Sequence, residues 1–380
     1  MKVMIAVTHL LGTGHLSRAL TLGRAFRDAG HSVLLVSGGM PAPQLDHSGL
    51  DLFGLPPLRS DGTDFSRLLT ESGEVADEAY LQARITALQA AAKQFAPDIL
   101  ITELYPFGRR VLAREFQALL QAAHELAPRP VILSSIRDIL APPSKPSRVE
   151  QTEAMVTGFY DGVLVHSDPH STKLETSWPV SEALAQKLHY TGYVAPPPAG
   201  SHPSQAGDGE VLVSAGGGSV GAPIFRATIE AARKITNRRW RLLVGGRDAN
   251  ARIAELRAHV SDAPVEIEPA RADFRQMLNH AAASVSMCGY NTALDLLQSG
   301  VPAVLIPFDD DKEVEQGLRA RSLAHLPSIE VLESDDLSPD ALAQAVERTI
   351  AAGPRAGSEL NFDGAAQSVT IAETLLEARR

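Results

Sequence analysis

The sequence predicts a protein of two α/β domains, each built on a doubly wound parallel sheet. Three observations predict this class: a length of 380 residues, short apolar runs that alternate with helical patterns, and a stretch rich in Pro, Gly and Ser near the middle. One domain usually holds roughly 100 to 200 residues, so two separate cores are expected. The composition, 44% hydrophobic and 21% charged, is that of an ordinary globular protein.

The first half of the chain has the pattern of βαβ units. Small and apolar residues recur at helical spacing from Leu16 to Phe26, and Gly30 ends this predicted helix. The predicted strands of this half are 3–7, 32–36, 99–104, 131–135 and 163–166. Breaks at Asp, Pro or Gly precede the last three of them. Strands that alternate with helices indicate a parallel sheet.

The second half begins after residues 195–209, APPPAGSHPSQAGDG. These residues have no apolar period, so they are predicted to be a linker. A second α/β set follows, with a helix at 223–235. Its predicted strands are 211–214, 241–244, 265–267, 284–287 and 303–306. The predicted domains are therefore 1–194 and 210–360.

Charge, cysteine content and hydropathy exclude several classes of function. The net charge is -10 and no block of Lys or Arg occurs, so a nucleic acid partner is not expected. Cys288 is the only cysteine, and no CxxC motif or metal-spaced histidine cluster accompanies it, which favours a cytoplasmic protein. No run approaches the roughly 18 to 20 apolar residues of a membrane-spanning helix, so any membrane contact is expected to be peripheral.

The loop GTGHLSR, residues 12–18, lies between the first predicted strand and the first predicted helix. In a doubly wound sheet ligands bind at the carboxyl ends of the strands, and Gly14 lets a substrate approach the backbone. The imidazole of His15 titrates near neutral pH and can remove a proton from an acceptor hydroxyl or from water. The alternative is that His15 is only a polar residue of the first helical turn.

A second loop, SAGGGSVG at 214–221, again joins a strand to a helix. Its backbone N–H groups, aligned with a helix dipole, can hold a diphosphate without a cation. The candidate residues are Gly217, Gly218, Ser219 and Gly221. A dinucleotide-binding loop would need an acidic residue about twenty positions further on, and residues 236–241 contain none. A purely structural glycine turn is the other alternative.

The third loop is CGYNTALD at 288–295. Asn291 or Thr292 is predicted to cap the following helix, and a phosphate can bind at the same N-terminus, near Gly289 and Tyr290. Asp295 is predicted to bind ribose hydroxyls. The alternative for Asp295 is that its charge merely stabilises the first helical turn.

The fourth loop, PFDDDKEVEQ at 307–316, contains three consecutive Asp residues. Contiguous side chains diverge, so a solvated acidic loop is expected here and no metal site. Glu315 and Gln316 carry acceptors and donors suited to the hydroxyls of a sugar. These two residues are predicted to contact the donor sugar.

Together these residues resemble the GT-B glycosyltransferases, in particular the branch of the peptidoglycan N-acetylglucosaminyltransferase and the predicted bacterial glycosyltransferases related to it. The resemblance spans most of the chain and is strongest over VSMCGYNTALDLLQSGVPAVLIPF and EVEQGLRA. AGGGSVGAP and LLGTGHLSRAL match moderately, and 40–190 weakly. It implies two Rossmann-like domains that face a central cleft, with 361–380 as a helix that packs back on the N-terminal domain.

The resemblance also implies that the C-terminal domain binds a nucleotide sugar. It places the diphosphate on 217–221 and 289–292, and the base near 269–273, where Arg271 lies. Asp295 stands where the family has a ribose-binding Glu. Gly14 of the first loop is grouped with these donor-binding residues.

The N-terminal domain of such enzymes holds the acceptor, and His15 matches a motif histidine close to the reaction centre. The segments ELYPFGRR and SIRD resemble the predicted glycosyltransferases, so Glu103, Arg109 and Arg137 are candidate acceptor-binding residues. The lipid-contacting loop of the peptidoglycan enzyme is not found, which argues against a lipid-linked acceptor.

The function predicted from the sequence is inverting, metal-independent transfer of a sugar from a nucleoside-diphosphate sugar, with UDP as the first candidate, to an acceptor hydroxyl. His15 or Asp138 would remove the acceptor proton, and no cofactor is expected. A nucleotide-sugar hydrolase, a 2-epimerase and a non-catalytic nucleotide-sugar-binding protein remain as alternatives.

Overall fold

The computed structural model describes residues 1–380 except 11, 44, 62–66, 217–220, 247, 309–313 and 356–359. The chain divides into two compact units. The first unit is Met1–Pro196 with Asn361–Arg380, and the second is Pro197–Leu360. Among the described helices, none is long and apolar enough to cross a membrane.

The first unit contains an eight-stranded sheet. Its strands are β1 Lys2–Val7, β2 Ser32–Gly39, β3 Asp51–Ser60, β4 Leu68–Leu69, β5 Ile99–Glu103, β6 Val131–Arg137, β7 Gly162–His166 and β8 Leu188–Tyr190. Their order across the sheet is β4-β3-β2-β1-β5-β6-β7-β8. Every neighbouring pair is parallel except β3 and β4.

Helices cover both faces of this sheet. They are α1 Gly14–Asp28, α2 Glu78–Phe95, α3 Ala113–His124, α4 Pro146–Phe159, α5 Glu182–Ala185 and, from the end of the chain, α12 Gly364–Arg379. Alternate residues of β1 point to opposite faces: Ile5 packs in one cluster with Leu20 of α1, and Met4 packs in another with Phe116 of α3. Because both faces are buried, the central strands are continuously apolar rather than alternating.

The returning end of the chain is joined to the first unit by backbone pairing. The Tyr193 amide donates to the Asn361 carbonyl at 2.8 Å, and Val194 pairs with Asp363. Residues 197–209, which the sequence suggested were a linker, lie in the second unit. His202 is buried there, with its Nε2 2.9 Å from Asp273. The polar composition of this segment concealed its contacts, because they are hydrogen bonds of its backbone, of His202 and of the Ser201 hydroxyl, which lies 2.8 Å from His280 Nε2.

The second unit contains a six-stranded sheet that is parallel throughout. Its strands are β9 Val211–Ser214, β10 Trp240–Val244, β11 Val265–Pro269, β12 Ala283–Ser286, β13 Ala303–Leu305 and β14 Ile329–Val331, in the order β11-β10-β9-β12-β13-β14. Its helices are α6 Ala222–Ala232, α7 Ala249–Arg257, α8 Phe274–Leu278, α9 Tyr290–Ser299, α10 Glu315–Leu323 and α11 Pro339–Ala352.

Four strands were not predicted, namely β3, β4, β8 and β14. The longest, β3, contains Pro56 and Pro57, which cannot donate ladder hydrogen bonds. These prolines are tolerated because the register with β2 shifts between Ser37 and Gly39, so they lie beside an irregularity of the ladder.

Each sheet reverses its strand order at one point, between β1 and β5 in the first unit and between β9 and β12 in the second. We call these the first and second switch points. In doubly wound sheets ligands bind outside the carboxyl ends of the strands at such a reversal. The loops that follow these four strands are therefore where a site is expected.

Candidate functional site

The first switch point brings together His15 and Glu103. His15 is the second residue of α1, which follows β1, and Glu103 is the last residue of β5. Val3 and Ile99 pair directly in the two strands, so their carboxyl ends lie side by side. The imidazole Nδ1 lies 2.9 Å from Oε1 of the carboxylate. Two residues 88 positions apart thus form one hydrogen-bonded pair.

The Glu103 carboxylate is buried, with 1% of its surface exposed, and has further partners. Arg18, one turn after His15 in α1, donates to Oε1. The Ser135 hydroxyl, in β6, donates to Oε2 at 2.6 Å. Burial alone would raise the pKa of Glu103, but Arg18, His15 and Ser135 outweigh it and hold this pKa well below its usual range. Glu103 is therefore an ionised carboxylate.

An ionised carboxylate only accepts hydrogen bonds, so the proton between the pair belongs to His15 Nδ1. This leaves Nε2 as the basic nitrogen. Burial lowers the pKa of His15 to about 3, over the opposing effect of Glu103. Of the His15 side-chain surface, 13% is exposed. A neutral imidazole with a fixed tautomer and partial access is the arrangement of a general base.

Three other residues of this unit were predicted as site residues, and they lie outside the His15–Glu103 pair. Asp138 follows β6, is 2% exposed, and accepts a hydrogen bond from the Ile139 amide at 2.7 Å. Arg109 adopts a left-handed backbone conformation before a short 3-10 helix, and its charge contributes to lowering the pKa of His15. Arg137 is the half-buried last residue of β6.

Glu103, predicted to contact an acceptor, instead holds His15. Glu103 is the carboxylate bonded to the imidazole, and Asp138 stays a prediction as the alternative base. Arg18 and Ser135 were not named as site residues. Arg18 had a detectable signal, because a residue three positions after His15 lies on the same face of a helix.

The second switch point is built from backbone. The loop after β9 leads to α6, whose N-cap Gly221 has φ 99°. A Cβ on Gly221 would lie 2.2 Å from the Ala215 side chain. Both this close approach and the left-handed φ therefore require glycine. The neighbouring predictions Gly217, Gly218 and Ser219 lie outside the described residues.

The loop after β12 leads to α9. Gly289 is the N-cap, so Asn291 and Thr292 lie inside the first turn and do not cap it, contrary to the expectation. The helix begins earlier because Gly289, at φ −64° and ψ 152°, already has an extended N-cap conformation. Among the residues that the structure describes, a Cβ on Gly289 would meet no atom within 4 Å. Gly14 at the first switch point is equally open.

Two charged candidates of the second unit, Asp295 and Arg271, are engaged in ion pairs. Asp295 Oδ1 accepts from Arg275 at 2.9 Å, and burial raises the pKa of Asp295 to about 6 even though Arg275 opposes it. Arg271 forms two hydrogen bonds with Asp273, at 2.8 and 2.6 Å. The Arg271 guanidinium is therefore bound in a bidentate manner by Asp273, without any nucleobase.

The remaining predicted contacts lie around α10. Glu315 is its first residue, and Gln316 Oε1 accepts from the Phe308 amide at 3.2 Å. Arg319 donates to the Cys288 carbonyl at 3.0 Å and lies over the Tyr290 ring, with 5.6 Å between guanidinium carbon and ring centroid. Arg319 thus ties α10 to the start of α9. Among the residues that the structure describes, no group of three His, Cys, Asp or Glu could hold a metal ion.

Comparison with known proteins agrees with this architecture. Residues 212–368 match the glycosyltransferase family 28 C-terminal domain. These residues lie mostly in the second unit, which is therefore similar to that C-terminal domain. A UDP-N-acetylglucosamine--N-acetylmuramyl-(pentapeptide) pyrophosphoryl-undecaprenol N-acetylglucosamine transferase of Brucella canis is 30% identical to this protein over 179 residues, or 44% of this chain and 46% of that protein. The match spans about half the length of that relative.

Two solved structures show that the likeness of fold extends over both units. MurG of Acinetobacter baumannii superposes with a TM-score of 0.64 at 15% identity, covering 98% of this chain and all of the other. A UDP-glucosyltransferase of Polygonum tinctorium gives a TM-score of 0.66 at 14% identity, covering 99% and 98%. At these identities the superpositions establish the GT-B fold of this protein.

Proposed function

We propose that the protein transfers a sugar from a nucleoside-diphosphate sugar to an acceptor hydroxyl, with inversion at the anomeric carbon and without a metal ion. The observation that carries the proposal is the His15–Glu103 pair at the first switch point, in which a neutral imidazole presents Nε2 as a base. His15 is the catalytic residue of this proposal, and Glu103 positions it.

In the proposed step the acceptor hydroxyl donates to Nε2 of His15 and passes its proton there. The acceptor oxygen forms a bond to the anomeric carbon while the bond from that carbon to the diphosphate breaks, and the electron pair leaves with the diphosphate oxygen. Glu103 stabilises the imidazolium that results. A single displacement of this kind inverts the anomeric configuration.

The second unit is proposed to bind the donor. Two helices, α6 and α9, begin after the strands of the second switch point, and helix N-termini favour negative charge. The open space at Gly289 lets a phosphate approach the backbone. Developing charge on the leaving diphosphate would be stabilised by these N–H groups, which is the basis for proposing metal independence. Asp295, Glu315 and Gln316 are proposed contacts to ribose and sugar.

UDP is the proposed nucleotide because the Brucella relative is named for a UDP-sugar donor. The loops assigned to donor binding lie within residues 212–368, which match the glycosyltransferase family 28 C-terminal domain. A cytoplasmic location is proposed with it, consistent with the single buried cysteine Cys288. The acceptor is proposed to be a hydroxyl compound handled by the first unit, where Arg109 and Arg137 stand near the carboxyl ends of the strands.

The test is release of nucleoside diphosphate from a panel of nucleotide sugars, with EDTA present, with and without candidate acceptors. Wild type is compared with His15→Ala and with His124→Ala, whose histidine lies at the end of α3 and bonds the Phe159 carbonyl instead. Acceptor-dependent release that is lost in His15→Ala and kept in His124→Ala is expected.

Two results would contradict the proposal. Equal release without any acceptor would assign the protein as a hydrolase, and binding of nucleotide sugars without release would assign it as a non-catalytic binding protein. The anomeric configuration of the product, measured by proton NMR, checks inversion separately. Retention of configuration would exclude the single displacement.

A further inference from the structure

The hydrogen bonds at the first switch point continue beyond Glu103. Ser135 Oγ, which contacts the carboxylate, also lies 2.9 Å from Nε2 of His166, the last residue of β7. His166 Nδ1 lies 2.9 Å from the Thr191 hydroxyl. Ser135 and His166 are completely buried. A buried histidine in contact with Ser135, which itself binds the carboxylate that positions His15, needs an explanation that the proposed reaction does not supply.

The donor and the acceptor in the contact between Ser135 and His166 follow from the number of hydrogens that each group carries. The Ser135 hydroxyl has one hydrogen, and its 2.6 Å contact with an ionised carboxylate uses it, because the carboxylate cannot donate. The hydroxyl oxygen must then accept from His166, so Nε2 carries a proton. Burial lowers the pKa of His166 to about 3, with Arg18 and Glu103 as the charged groups that act on it. His166 is therefore the neutral Nε2–H tautomer, and its Nδ1 accepts the hydrogen of the Thr191 hydroxyl, which also lies 2.7 Å from the Gly192 carbonyl.

This tautomer constrains Ser135. A serine hydroxyl rotates freely to suit its neighbours, but an N–H directed at its oxygen prevents it from turning its own hydrogen towards His166. The hydrogen is left pointing at Glu103. Because hydrogen bonds in a row polarise one another in a buried site, the contact to the carboxylate is strengthened as well.

The position of Glu103 decides which nitrogen of His15 is basic. Arg18, a pure donor, lies 3.2 Å from His15 Nδ1 as well as in contact with Glu103. If the carboxylate moved away, Arg18 would donate to Nδ1, the imidazole proton would transfer to Nε2, and the base would be lost. Holding Glu103 in place therefore favours the Nδ1–H tautomer of His15 over the alternative in which Arg18 donates to Nδ1.

We propose that His166 is a positioning residue for catalysis, acting through Ser135 to hold the Glu103 carboxylate on the Nδ1 side of His15. The proposal rests on the function proposed above, in which His15 is the base. Neither Ser135 nor His166 is assigned contact with a substrate. Ser135 lies near the end of β6, the neighbour of β5, and His166 ends β7, the next strand across the sheet, which is why three side chains distant in sequence form one row of hydrogen bonds.

The test begins with the tautomer of His15, which does not depend on any substrate. In protein labelled with 15N-histidine, two-bond proton–nitrogen spectra report which ring nitrogen is protonated, and His15→Ala assigns the signal. Wild type is expected to show His15 as Nδ1–H. Ser135→Ala and His166→Leu are expected to shift it towards Nε2–H, whereas His166→Gln, whose side-chain amide can still donate to Ser135, is expected to retain Nδ1–H.

The matched control is His124→Leu, which removes a half-buried histidine of the same unit outside this chain. It is expected to leave the His15 signal unchanged. If His166→Leu does not fold, the pair Ser135→Ala and His166→Gln carries the same comparison. Persistence of the Nδ1–H tautomer of His15 in folded Ser135→Ala and His166→Leu would overturn the proposal.

Kinetics separate this proposal from the proposed function. With an active donor and acceptor, Ser135→Ala and His166→Leu are expected to lower kcat about tenfold with the KM for the donor unchanged, and the double variant is expected to be no slower than Ser135→Ala. If the variants change the His15 spectra as expected but the wild-type protein transfers no sugar, only the proposed function is contradicted. If the variants leave the His15 spectra unchanged and the wild-type protein does transfer sugar, only the positioning role of His166 is contradicted.

Discussion

The two switch points occupy the same place in the same kind of sheet, but they are built from different parts of the chain. At the first, side chains from three elements converge: His15 and Arg18 from α1, Glu103 from β5 and Ser135 from β6. At the second, the two helices that follow the strands both have a glycine as their N-cap, Gly221 and Gly289. Moving a proton requires a titratable side chain in one fixed tautomer, whereas holding a diphosphate requires only N–H groups and space.

This difference predicts how each switch point fails. Substitutions at the first should reduce turnover and leave donor binding intact, and substitutions at the second should do the reverse. Four experiments test that division, beginning with the one expected to have the largest effect.

Replacing Glu103 with Gln should reduce kcat by about a hundred- to ten-thousandfold, because the carboxylate that selects the His15 tautomer is lost. Steady-state transfer measurements with the active donor check it. The matched control is Glu115→Gln, since Glu115 is a second buried carboxylate, paired with Arg84. The control should lose stability but keep kcat per folded molecule, and an equal loss of kcat in both variants would contradict a special role for Glu103.

Acidification should destabilise the first unit. Native His15 and His166 take up protons only near pH 3, whereas the unfolded chain takes them up near the ordinary value of 6.5. Between these values the unfolded state binds more protons, so the free energy of unfolding falls as pH falls, by at most about 1.4 kcal/mol per pH unit for each histidine. Glu103, with a depressed pKa, acts in the same direction at lower pH.

Urea unfolding between pH 7 and pH 5 measures this slope. His166→Gln should make it shallower by the contribution of one histidine, and His325→Gln, which changes an exposed histidine of the second unit, should leave it as in wild type. A slope that does not change in His166→Gln would mean that this histidine is not buried neutral.

Replacing Gly289 with Ala should weaken nucleotide binding about tenfold without a loss of stability. The backbone at Gly289 suits alanine and its Cβ would meet no atom, so only an incoming phosphate is obstructed. Losing one hydrogen bond to a charged group is worth roughly 1.5 to 3 kcal/mol, hence the tenfold estimate. Calorimetric titration with UDP measures it, with Gly200→Ala, at another open glycine, as control. Unaltered affinity would remove α9 from the proposed diphosphate site.

The smallest effect is expected at Asp295. If its carboxylate accepts from ribose hydroxyls, the dissociation constant for UDP should rise about threefold as pH falls through about 6, where the carboxyl takes up a proton. Asp295→Asn should bind weakly at every pH and show no such step. Asp340→Asn, an exposed position, is the control. A step that persists in Asp295→Asn would assign the titration to another group.

Sequence reasoning found the elements that carry the site more readily than the contacts within it. His15, Gly221, Gly289 and Asp295 were identified because each follows a strand and begins or enters a helix, a pattern that is local in the chain. Glu103 was predicted as a site residue, but its contact with His15 was not, since nothing in its sequence neighbourhood shows that it meets His15. His166 ends a predicted strand, and that position alone marked it as a residue of the same sheet edge.

The sequence by itself determined the two α/β domains, the parallel character of both sheets and the loops at which chemistry is expected, because apolar periodicity and glycine placement act over a few residues. The tertiary structure alone decided which carboxylate meets His15, which histidine stands behind Ser135, and that 197–209 belongs to the second unit. Those outcomes depend on the order of strands in the sheet, which brings residues separated by tens of positions within 3 Å and which no local pattern encodes.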